Sequence, residues 1–381
     1  MPPMLPARHF STLRLADVLT SSLAAILGRP NALGLDGAAR AVVVLADGLG
    51  VSSLRARAGH ARFLSSLLTK ASVIDGVFPA TTAAGIASLT TGVEPGQHGL
   101  VGYRVLDQAR DRVVNQLTGW DADVQPASWQ RARTVFERAT DAGVPSFAIG
   151  PKKFTASGFT QAVLRGAGYV PAESVADRFL AARRILDAEP RALVYLYVAE
   201  LDMAAHAHGW QSDKWLAELE GLDAEVARFA GGLRPDEGLL LTADHGVIDV
   251  PATKHVLFDT VPELVAGVRH IAGDPRCLHL YLEPGQETVS ADSLAGAWRA
   301  VEGERAWIFT RDEAVEAGLF GRVAPEVLPR IGDVIVAARR LIAYYDSRDA
   351  NQAARNMIGQ HGSLTDEELR VPLLRAGAFA G

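Results

Sequence analysis

Three short apolar runs end in residues able to hold a metal ion or move a proton. VVVLA runs into Asp47-Gly48, LVYLYVA leads to Asp202 and His206, and GLLLTA ends in Asp244-His245-Gly246; a further histidine stands in Gln360-His361-Gly362 near the C-terminus. Each piece alone has a plain explanation. Asp-Gly after a strand is commonly a turn. Asp202 and His206, four apart, share a helix face, which suits ligation or equally a cap with a surface pair. Asp244-His245 reads as a strand-end turn, and a lone His361 as a structural histidine. Together, these Asp and His residues at the ends of separate elements could form two sites for divalent metals. Two such ions beside three carboxylates leave one positive charge, which suits an anionic, phosphate-like substrate. The single cysteine, Cys277, excludes an internal disulfide and any cysteine-based zinc ribbon. The nucleophile candidates are Thr81 and Thr82, which precede a small-residue helix whose N-terminus favours anions; one could cap while the other attacks.

These groups need a framework. The chain of 381 residues is 48% hydrophobic and 22% charged, as folded proteins are. Its net charge of −6 gives no global basic field, so no extended nucleic-acid surface is expected. The first thirty residues lack an unbroken apolar stretch, and no apolar run is long enough to span a membrane, so no membrane partner and a cytoplasmic location are expected. Strands are predicted at 41–46, 146–149, 192–199 and 238–241, apolar on both faces as central parallel strands are. Helices are predicted at 134–142, 174–188 and 213–229 from apolar spacings of three and four. The alternation predicts an α/β fold, a doubly wound and mostly parallel sheet flanked by helices. Ligands of such sheets bind beyond the carboxyl ends of the strands, where the Asp and His residues lie. Residues 253–340 read differently, with strands at 277–282 and 333–338 and helices at 291–301 and 311–317. They predict a small α+β cap inserted into a core made of 1–252 and 341–381.

In their order the motifs resemble the alkaline phosphatase superfamily, in its type I phosphodiesterase and nucleotide pyrophosphatase branch. The resemblance rests on Asp47-Gly48, the F-P-x-x-T block from Phe78 to Thr82 with Thr91-Gly92, Pro95 and His98-Gly99, Asp202-x-x-x-His206-x-x-Gly209, Ala243-Asp244-His245-Gly246 and Gly359-Gln360-His361-Gly362. It implies two divalent ions, most simply zinc. Asp47, Asp244 and His245 would hold one with the Thr82 oxygen, and Asp202, His206 and His361 the other. It implies Thr82 as the attacking group, a phospho-threonine intermediate, and a small phosphorylated substrate such as a nucleotide. The Ala83 N–H would serve the phosphoryl oxygens. Gly85, one turn further on, offers no side-chain donor, so Lys152 and Lys153, in a loop after a strand, are expected as substitutes. Three other readings stay open: a phosphomonoesterase or a phosphonate hydrolase with the same bimetal site, and a metal-stabilised binding protein without catalysis.

Overall fold

The computed structural model describes residues 13–285 and 289–380. The strands that matter, in chain order, are Arg40–Ala46 (β1), Arg104–Asp107 (β2), Arg112–Asn115 (β3), Ser146–Gly150 (β4), Gly168–Pro171 (β5), Ala192–Val198 (β6), Glu237–Thr242 (β7), Val268–Asp274 (β8), Cys277–Leu282 (β9), Ala306–Thr310 (β10), Val334–Ala338 (β11) and Leu374–Gly377 (β12). The main sheet runs β12-β7-β1-β6-β4-β5. All its pairings are parallel except β12, which closes one edge antiparallel to β7. β1 shows why the sheet sits in the middle. After Arg40 every residue is buried, and an apolar β-branched run of this length is stable only when covered on both faces.

The cover comes from helices Asp17–Ile26 (α1), Thr82–Thr91 (α2), Val135–Asp141 (α3), Gly158–Val163 (α4), Val175–Ala188 (α5), Glu200–His208 (α6) and Asp213–Gly231 (α7). Their starts follow local chemistry. Thr134 caps α3 in a reciprocal pair with Glu137, and Ser174 and Ser212 cap α5 and α7. The strands and helices expected from the sequence are present, with ends shifted by at most two residues. Not anticipated were α1, α4, the β2–β3 hairpin, β5, β8, β10 and the reversed edge strand β12.

The described residues of 268–338 form a separate antiparallel sheet of order β8-β9-β11-β10, carrying helices Ala291–Glu302 (α8) and Arg311–Glu316 (α9), and give no strand to the main sheet. Period-two alternation divides its side chains. Leu278, Leu280, Ile308, Val334 and Val336 pack with Trp298 of α8 in a core of their own, while Cys277, Trp307, Phe309, Ile335 and Ala337 join the main core. Arg276, in the β8–β9 turn, ties the two together. It is fully buried, pairs through Nε and Nη2 with both Glu368 oxygens at 2.8 Å, and donates to the carbonyls of Ala338, Arg340 and Ile342. Glu368 also accepts from the Ser363 N–H, two residues past His361, and from the Thr365 hydroxyl.

Candidate metal centre and active site

β1 and β7 are parallel neighbours with Leu45 opposite Thr242, so the turns that follow carry Asp47 and Asp244 out at one level. α6 follows β6 and brings Asp202 and His206 on one face; His361 follows a two-residue strand, Gly359–Gln360, paired with Ile248–Asp249. Thr81 caps α2, its hydroxyl accepting from the Ala84 N–H at 3.4 Å. Thr82 is the first helical residue, with Oγ1 3.2 Å from His245 Nε2. The same Nε2 lies 3.4 Å from Asp47 Oδ1 and 3.6 Å from Asp244 Oδ2.

All three histidines are oriented alike. Nδ1–H donates to a backbone carbonyl in each: His206 to Gly359 at 2.8 Å, His361 to Ala80 at 2.8 Å, and His245 to Gly246 at 3.2 Å. Each therefore presents the lone pair of Nε2 to the cluster. The His245 and His361 rings stack with centroids 3.7 Å apart. His206 Nε2 meets Asp202 Oδ2 at 3.1 Å, a lone pair facing a carboxylate, an arrangement that needs a proton or a metal cation.

The carboxylates make the same demand. Asp47 Oδ1, Asp202 Oδ1 and Asp244 Oδ2 are buried without any hydrogen-bond partner among the described residues. Burial, then the charges of Asp244 and Asp202, push Asp47 well above the usual carboxylate range. Asp244 is raised too, chiefly by burial. Burial pushes Asp202 up, but His206, with smaller contributions from His361 and His245, outweighs that and holds it below its ordinary value. Burial and His245 push His361 well below the usual histidine value. The nitrogen and oxygen donors form two groups whose atoms lie within 4.8 Å of one another, Asp47-Asp244-His245 and Asp202-His245-His361. This donor set fits divalent cations. The first group coincides with the expected one. In the second, His245 stands where His206 was expected, and His206 adjoins through Asp202.

Two cavities meet here, and Thr82 and Leu117 line both. The smaller, 480 Å³, is walled by Trp120, Phe154, Phe159, Tyr169, Tyr195 and Tyr197. The larger, 1050 Å³, reaches past Asp202, His206 and His361 to β8 and the 346–357 loop. Lys153 lines the smaller cavity with Nζ 4.9 Å from the Phe154 ring centre; Lys152 lies outside both walls, its backbone N–H on Glu173. Ala83 is buried in the first turn of α2, where backbone N–H groups lack intrahelical acceptors.

Gly85 needs a different explanation from the missing donor inferred from the sequence. A Cβ there would lie 2.7 Å from Asp244 Cβ and 2.9 Å from the Asp244 carbonyl oxygen. A side chain at this position would collide with the Asp244 turn instead of reaching substrate; the glycine lets α2 approach a carboxylate of the cluster. His98 is structural, tying the turn that contains it to α2. It accepts from the Leu100 N–H through Nδ1 and donates through Nε2 to Ser88 Oγ. Sequence reasoning missed Tyr197, whose hydroxyl donates to Asp47 Oδ2. The available signal was a pair of tyrosines two apart in a buried strand, whose hydroxyls must find partners.

Comparison with known proteins agrees with this architecture. Murine ectonucleotide pyrophosphatase/phosphodiesterase 5 superposes with a TM-score of 0.66 at 16% identity, covering 88% of each chain. Phosphonoacetate hydrolase from Sinorhizobium meliloti 1021 gives a TM-score of 0.65 at 18% identity, over 90% of this chain and 91% of its own. At these identities the likeness is one of fold. A phosphopentomutase from Anaeromyxobacter sp. (strain Fw109-5) is 34% identical over 126 residues, 32% of this chain. The matched stretch spans only 30% of that relative's length. The family model for type I phosphodiesterase / nucleotide pyrophosphatase matches residues 41–364, nearly the whole chain, and the protein belongs to that family.

Proposed function

We propose that this protein is a zinc-dependent hydrolase of phosphoric esters, cutting phosphodiester or nucleotide pyrophosphate bonds through a phospho-threonine on Thr82. The observation that carries the reading is the position of Thr82, beside His245 Nε2 and at the junction of two cavities. A phosphorus with substituents on both sides suits such a junction, whereas a monoester or a small phosphonate would fill one arm.

Asp47, Asp244 and His245 with Thr82 would hold one ion, and Asp202, His206 and His361 the other. When bound, such ions would supply Lewis-acid charge that neutralises the carboxylates, acidifies the Thr82 hydroxyl and polarises the phosphoryl oxygens. Thr82 Oγ1 attacks phosphorus in line, forming a P–O bond as the bond to the leaving oxygen breaks; its hydroxyl proton passes to solvent, and the leaving oxygen takes up a proton from water and departs as the alcohol. The Ala83 N–H donates to a phosphoryl oxygen at the N-terminus of α2. Attack by water then breaks the Oγ1–P bond and restores the hydroxyl. The aromatic cavity suits a planar group such as a nucleobase. An inactive threonine-to-alanine variant of the murine relative in complex with AMP supports both the nucleophile and the substrate class. Residues 253–340 would act as a cap, since Phe258, Arg269, Asp274 and Leu278 wall the larger cavity.

Metal analysis of the purified protein, with parallel assays on bis(p-nitrophenyl) phosphate and p-nitrophenyl phosphate, tests this. About two zinc equivalents and chelator-sensitive turnover of the diester are expected. A stoichiometry near zero with chelator-insensitive turnover overturns the reading, and preference for the monoester favours a phosphomonoesterase.

A further inference from the structure

We infer that Arg104 and Asn115 form a subsite for a second anionic group, a phosphate or carboxylate on the part of the substrate lying in the larger cavity. The inference rests on the hydrolase reading above. Arg104 of β2 and Asn115 of β3 are directly opposed in the hairpin ladder, so their side chains leave the same face. Both line the larger cavity, and neither lines the aromatic one.

Their hydrogen-bonding capacity singles them out. Asn115 Oδ1 accepts from the backbone N–H groups of Leu117 and Thr118 at 2.9 and 3.1 Å. That fixes the amide orientation and leaves the NH₂ as a pure donor. The turn is tight, for a Cβ on Gly119 would lie 2.7 Å from the Asn115 carbonyl oxygen. The other arginines of the cavity wall each make a side-chain hydrogen bond. Arg269 pairs with Asp111, Arg348 holds both oxygens of Asp346, and Arg355 rests on Gln352. Among the described residues Arg104 makes no side-chain hydrogen bond: Asp349 Oδ2 lies 3.9 Å away, and the Arg104 charge also acts on the buried Asp274 carboxyl. A planar fork of N–H groups beside a fixed amide donor matches an oxyanion.

The test compares the ethyl, 2-carboxyethyl and 2-phosphoethyl p-nitrophenyl phosphodiesters. Charge-assisted hydrogen bonds of this kind give about a tenfold or greater preference in kcat/KM for a charged ester over the ethyl ester. The ratio is expected to fall towards one in Arg104→Met and Asn115→Ala and to recover in part in Arg104→Lys; the favoured ester tells phosphate from carboxylate. A ratio unchanged by either substitution, or a loss shared equally by all three esters, overturns the inference. Calorimetry with methylenediphosphonate and methylphosphonate gives a readout without turnover. Tighter binding of the diphosphonate, lost in Arg104→Met, would uphold the subsite even if no ester were hydrolysed, and that outcome would refute the hydrolase reading alone. Equal binding of the two overturns the subsite.

Discussion

The Tyr197 hydroxyl donates to Asp47 Oδ2 at 2.6 Å, across the parallel pair β6–β1, while the Tyr197 ring walls the aromatic cavity. One residue thus fixes the orientation of a carboxylate in the candidate metal-donor cluster and shapes the cavity that Thr82 lines. Partners that orient metal ligands are worth about 10–100-fold in affinity. Tyr197→Phe, which keeps the ring, is expected to weaken metal binding by about that factor in chelator competition, with activity recovering in excess metal.

Thr82→Ala removes the oxygen proposed to attack phosphorus and is expected to lower turnover by several orders of magnitude. Thr81→Ala removes a cap whose loss costs about 1 kcal/mol of stability. Steady-state rates and thermal melts on both variants separate the roles. Near-normal turnover by Thr82→Ala with full metal content would refute the covalent threonine.

Gly85→Ala places a methyl against the Asp244 backbone. Overpacking of this kind costs about 1–3 kcal/mol. The melting temperature and the bound-metal content are expected to fall together, because the residue pushed aside is in the cluster. A melt and metal content matching wild type would show that the helix yields without disturbing Asp244.

His98 supplies a pH prediction outside the metal cluster. Burial, then the Arg330 charge, push its imidazole down to about 3 from 6.5. Below 6.5 the unfolded chain therefore takes up a proton that the folded chain refuses. The stability is fully present above about 6.5 and is lost as pH falls towards 3. Urea midpoints between pH 7 and 4 are expected to fall less steeply in His98→Asn than in wild type.

The parallel core was legible because buried strands such as β1 and β6 are unbroken apolar runs, and the polar residue that ends each run marks the functional edge of the sheet. What escaped depends on contacts between distant segments. Gly85 reads as an absent side chain until Asp244 is seen 2.7 Å from where its Cβ would be. The pairing of Arg104 with Asn115 needs the hairpin register, which their sequence separation does not reveal. Lys152 and Lys153 are neighbours in sequence, yet only Lys153 reaches a cavity wall, because the short helical turn at 152–154 sends them in different directions. The edge strand β12 is four residues ending in glycine, too short to carry a periodic signal.

The buried Arg276–Glu368 pair sets how the inserted sheet can behave during a catalytic cycle. Opening it like a lid would strip the buried Arg276 guanidinium of its bidentate partner Glu368, and breaking a buried pair typically costs about 3–5 kcal/mol. The same motion would pull on the segment bearing His361 through the Ser363 N–H. The insert is therefore expected to stay fixed over the main sheet, and movement to fall to the polar loop at 346–357, whose Asp346, Asp349 and Gln352 bond largely within the loop itself. In crystals grown with and without a bound phosphonate, displacement should concentrate in that loop while β8–β11 keep their place over the main sheet.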